Sequence, residues 1–102
     1  MARRTRDWNE GLAADLQDPE FARGFLVAAI EDGITVQQAL GKVIRLMGVK
    51  EFAKKTGVAS SNVLRAINPR HNPTQSTLNR LLEPFGLRLT LAPVKPKRRR
   101  AA

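Results

Sequence analysis

Ser60, Ser61, Asn62 and Arg65 stand within six residues of one another, and each has a side chain that can read the edge of a base pair. The asparagine carboxamide donates and accepts at once, as an adenine edge requires. A guanidinium donates two parallel bonds to guanine, and a serine hydroxyl fits a base edge or a phosphate oxygen. Lys50, Lys54, Lys55 and Arg70 flank this run and suit the phosphates of the same duplex, since each neutralised phosphate releases condensed counterions. The other reactive side chains assemble no reaction. His71 is the sole histidine, set between Arg70 and Asn72; cysteine is absent; Glu31 and Asp32 are adjacent, so a helix would point them to different sides. There is no glycine-rich phosphate loop and no hydrolase elbow. The expectation is a binding protein rather than an enzyme, with no catalytic residue, no cofactor and no metal site.

For those four side chains to face outward together, their segment must be a helix with an apolar opposite face. Val63, Ala66 and Ile67 supply it. Residues 49–56 and 59–68 read as two helices too short to be stable alone, joined through Gly57 and Val58. Phe52 and Ala53 face inward from the first, Ala53 being small where the helices cross; Gly57 permits a tight turn and Val58 plugs the corner. This is the arithmetic of a helix-turn-helix whose second helix, beginning near Ala59, enters a major groove.

The flanking segments must hold that pair in place. Trp8, Leu12 and Leu16 predict a short amphipathic helix over 7–16, with Trp8 in its core rather than stacked on a base. Asp18 and Pro19 open a second helix, with Ala22, Phe25, Leu26 and Ala29 inward. Thr35 and Gln38 predict a capping box for a third, with Val36, Ala39, Leu40, Val43 and Met47 inward. A last helix starts at Thr74 and buries Leu78, Leu81, Leu82 and Phe85, its final turn distorted by Pro84. Gly33, Gly48, Gly57 and Gly86 each follow a helical segment and predict left-handed stops. After Gly86 the period changes to two: Leu87, Leu89 and Leu91 alternate with Arg88 and Thr90, which predicts a short strand. A lone strand in a helical chain has no ladder partner, and pairing with a second copy would make a two-fold homodimer.

The chain has 102 residues and a formal net charge of +9. That length makes one small domain with little room for a deep catalytic cleft. We divide it into a basic arm over 1–6 (Arg3, Arg4, Arg6), a helix-turn-helix domain over 7–94 and a basic tail over 95–102 (Lys95, Lys97, Arg98, Arg99, Arg100). The domain itself is polarised. Residues 7–32 carry seven acids against Arg23 alone, whereas residues 33–94 carry nine bases against Glu51 and Glu83. One half suits a polyanion and the other repels it. No apolar run could span a bilayer or serve as a signal peptide, and the missing cysteines suit a reducing compartment; a cytoplasmic protein with no membrane partner is expected.

The run Phe52-Ala53-Lys54-Lys55-Thr56-Gly57-Val58, then Val63-Leu64-Arg65-Ala66-Ile67, then Asn72-Pro73-Thr74 followed by Thr77-Leu78, resembles the HigA-like addiction-module antidote proteins of bacterial toxin–antitoxin operons, within the Cro/C1-type helix-turn-helix class. The likeness reaches upstream to Asp18-Pro19-Glu20 and the helix through Ala28 and Ala29, and covers roughly residues 7–91. His71 stands where the family usually has glycine. The resemblance implies an all-α, five-helix Cro/C1-type domain in the bacterial cytoplasm. It also implies operator binding on double-stranded DNA, repression of its own operon and a RelE/ParE-like toxin as partner, which the acidic residues 7–32 could meet. The alternative within DNA binding is a free-standing phage-type or transcriptional repressor with no toxin. Other readings are a toxin-neutralising module with a vestigial helix-turn-helix and a nonspecific architectural protein driven by its basic ends.

Overall fold

The computed structural model describes residues 10–93. Trp8, the arm over 1–6 and the tail over 95–102 lie outside the described residues. The described chain is mostly helical: α1 (10–15), α2 (Pro19–Glu31), α3 (Val36–Met47), α4 (Val49–Thr56), α5 (Ser60–Ile67), α6 (Gln75–Leu82) and a 3-10 turn (Glu83–Phe85).

Local chemistry explains where α2, α3 and α6 start and where several of the helices stop. The Asp18 carboxylate accepts from the Glu20 N–H at 3.0 Å, and Pro19 takes the first helical position, where its missing N–H costs nothing. Thr35 and Gln38 form the reciprocal capping box, and the Thr74 hydroxyl accepts from the Thr77 N–H at 3.1 Å. Pro84 cannot supply the N–H that would bond the Arg80 carbonyl, and the chain tightens there into the 3-10 turn. Gly86, at φ +75°, then lets the Leu87 N–H reach back to the Leu82 carbonyl at 3.3 Å and end the helix. All four predicted glycine stops have positive φ, and no other residue type among those described does, so His71 keeps an ordinary backbone.

Among the described residues every buried side chain is apolar. α3 is the hub: its inward residues Ala39, Leu40, Val43, Ile44 and Met47 meet α2 on one side and α4, α5 and α6 on the others. Leu12 of α1 and Leu16 in the turn after it close the core, with Ala22 and Leu26 from α2 and Val63, Ala66 and Ile67 from α5. Phe52 of α4 stacks on Phe85 of the 3-10 turn, ring centroids 5.9 Å apart and planes 18° from parallel. α3 and α5 come close at Gly41, where an added Cβ would lie 3.0 Å from Arg45 Nη1 and 3.6 Å from Ile67 Cβ.

The expected strand does not form within the described chain. Residues 87–93 have no regular secondary structure; Leu87 and Leu89 rest half-buried on the core while Arg88 and Thr90 are exposed, but the alternation ends there, since Leu91 is 97% exposed. A ladder needs a second strand. Here the Leu89 N–H is taken instead by Asn79 Oδ1 at 2.7 Å, which ties the segment to α6.

Candidate nucleic-acid interface

α4 and α5 are each eight residues long and are joined by residues 57–59. Gly57 adopts the left-handed conformation at φ +76°, which a side chain would resist. The Thr56 hydroxyl completes the turn: it donates to the Phe52 carbonyl at 3.1 Å and accepts from the Val58 N–H at 3.2 Å. Val58 is half-buried in the corner, as its position predicts.

With Val63, Ala66 and Ile67 fixed in the core, the helical period aims the rest of α5 at solvent. Ser61, Asn62 and Arg65 are exposed and Ser60 is half-buried. Leu64 joins them: it is 49% exposed beside Ser61 and Arg65, an apolar contact suited to a thymine methyl. Lys50, Lys54 and Lys55 are all exposed on α4, and Arg70 is exposed in the following loop, where its N–H donates to Asn68 Oδ1 at 2.9 Å.

Two hollows flank the exposed face of α5. Lys50, Lys54 and Ser60 line one, around the turn. Asn62 and Arg65 line the other, a cleft of about 360 Å³, with His71, Asn72, Thr77 and Arg80 across from them. Lys55, Ser61 and Arg70 line neither hollow. Arg80 and Asn72 complete a cationic, hydrogen-bonding wall that the sequence reading does not single out; the signal available was Arg80 on the polar side of an amphipathic helix in the basic half.

The helix starts add to this. α2, α3 and α6 begin with a side-chain oxygen bonded to a backbone N–H, whereas α4 and α5 begin at Gly48 and Ala59 with no side-chain cap. The Asn62 N–H already bonds the Ala59 carbonyl at 2.9 Å, which leaves the N–H groups of Ser60 and Ser61, and those at the start of α4, for an external acceptor such as a phosphate oxygen.

α5 is held from behind by Gln37. From α3 its amide nitrogen lies 2.9, 2.8 and 2.9 Å from the carbonyl oxygens of Ala66, Asn68 and His71, and its two N–H groups are shared among the three. These carbonyls lie at the end of α5 and in the loop after it, so one side chain sets both the tilt of α5 and the path of the cleft wall. Gln37→Leu keeps the bulk and removes the donor. We expect it to lower stability by about 1–2 kcal/mol, and to speed amide exchange in residues 66–72 more than in α2. Uniform exchange across the chain would show that Gln37 is not a local clamp.

Comparisons with protein-family models, with curated proteins and with solved structures found no match. No helix among the described residues is long and apolar enough to cross a membrane, and none of their acids or histidines group to hold a metal ion.

Proposed function

We propose that this chain is the DNA-binding antitoxin of a type II toxin–antitoxin module, which represses its own operon and neutralises a RelE/ParE-like toxin. In this reading α4 and α5 are a Cro/C1-type helix-turn-helix. α5 enters the major groove of the operator: Ser61, Asn62, Leu64 and Arg65 meet base edges, while Ser60, Lys50, Lys54, Lys55, Arg70 and the open starts of both helices hold phosphates. The observation that carries it is the exposed polar row of α5, sealed to the core behind and set between two basic hollows. Charge supports the same assignment, because residues 33–93 hold nine bases and two acids. The antitoxin half rests on the motif resemblance.

A homodimer suits the reading, since operators of such proteins are two-fold. Leu91 is 97% exposed at the end of an alternating segment, and pairing of residues 87–91 with a second copy would cover it.

The test induces each small reading frame beside the gene, with and without this chain, and shifts the upstream DNA with purified protein. Growth arrest reversed by the chain, together with a sequence-specific shift, is the expected result. A specific shift without any arrest would leave a free-standing repressor. Arrest reversed without a shift would leave a neutralising module whose helix-turn-helix is vestigial.

A further inference from the structure

A helix lying in a major groove has a phosphate strand along each of its sides. The hollow at the turn supplies cations for one side, with Lys50 and Lys54 beside Ser60. On its other side α5 is bordered by the cleft toward α6, and neither Lys55 nor Arg70 lines it. The cation on the α6 wall of that cleft is Arg80.

The neighbours of Arg80 hold it there. Leu81 and Leu82 are buried and fix the rotation of α6, while Asn79 is occupied by the Leu89 N–H at 2.7 Å. Arg80 is left exposed, lining the same cleft as Asn62 and Arg65. Two guanidinium groups in one cleft repel each other, and among the described residues no acid lines it to relieve them. An anion would. Arg80 also borders a second hollow on its far side, but Glu83 lines that one together with Arg88. A carboxylate there opposes a phosphate, so of the two hollows the one beside α5 is the anion seat.

We propose that the cleft between α5 and α6 seats a backbone phosphate of the operator, held by the Arg80 guanidinium and the Asn72 carboxamide, which makes α6 a third DNA-contacting element. The inference rests on the reading of α5 as the recognition helix. It divides the work of the two arginines: Arg65, on the helix that enters the groove, reads a base, whereas Arg80 carries no sequence information and fixes the angle at which α5 sits. A guanidinium forks onto two phosphate oxygens, which the point charge of a lysine does not do.

The test titrates the full chain with the DNA upstream of its gene and with an unrelated duplex of equal length, over a series of salt concentrations, with thermal melts to check the fold of each variant. Arg80→Ala is expected to weaken both duplexes roughly tenfold, to reduce the slope of log affinity against log salt by about 1, and to keep the melting point. Arg80→Lys keeps the charge and loses the fork, so it should restore the slope and only part of the affinity. Duplexes with one phosphate neutralised as methylphosphonate then locate the contact. One position should weaken wild type and leave Arg80→Ala unaffected, and it should differ from the position found with Lys54→Ala. Inorganic phosphate without DNA, at constant ionic strength, should move the NMR signals of Asn72 and Arg80 far less than a duplex at the same concentration.

An Arg80→Ala chain that binds both duplexes as wild type does, with the same slope, would overturn this assignment and leave α5 its role. Lost base preference at an unchanged slope would make Arg80 a base reader and overturn the phosphate seat. Saturation by inorganic phosphate that duplex does not disturb would assign the cleft to a small anion instead. A wild-type chain that binds neither duplex would overturn the reading of α5 and this inference with it.

Discussion

Phe52→Ala is expected to lower stability by about 3–5 kcal/mol, the range for emptying a buried aromatic site. Phe52 is fully buried, the largest side chain of the core to be so, and it stacks on Phe85. It packs α4 against the 3-10 turn after α6, so its loss opens a cavity and removes the ring stack at once. A small domain has only about 5–15 kcal/mol in total, so the variant should melt on the order of 20 °C lower. Leu64→Ala is the internal comparison: its site is half open to water, and its melting point should hardly move. Phe52→Ala should also lose DNA binding as temperature rises, because α4 is what α5 leans on. A cooperative melt within a few degrees of wild type would mean that the stack contributes little and that α3 alone organises the core.

Much of this architecture is legible along the chain because its signals are local. The caps at Asp18, Thr35 and Thr74, the stops at the four glycines and the break at Pro84 each involve partners within a few residues. What the sequence hides is long-range. Gln37 bonds carbonyls 29 to 34 residues away, and nothing in its neighbourhood distinguishes it from Gln38, whose job is local. Arg80 and Arg65 come to line one cleft only because the loop at 68–74 lets α6 pack on α5. The segment after Gly86 fails differently. Alternating leucines describe a strand and an extended segment lying on a core equally well, and within the single chain, where no second strand is at hand, the Leu89 N–H goes to Asn79.

Arg65→Ala is expected to weaken operator binding by about 1–3 kcal/mol, roughly 10- to 100-fold, and to relax base preference at one position of each half-site. Arg65 is exposed near the middle of α5, so its removal should leave the melting point unchanged while taking away the one bidentate donor on that face. Lys54→Ala makes the contrast. A phosphate contact carries no sequence information, so its loss should weaken all duplexes about equally and reduce the slope of log affinity against log salt by about 1. The two variants therefore differ in kind, and competition by a panel of single-base operator variants at two salt concentrations separates them. If Arg65→Ala lost affinity for every duplex alike, Arg65 would belong with the phosphate contacts, and the reading contact would shift to Asn62 on the same cleft. If neither affinity nor preference changed, α5 would not be the recognition helix. The open starts of α4 and α5 would then be mere surface, and the basic half of the chain would need another polyanion to explain it.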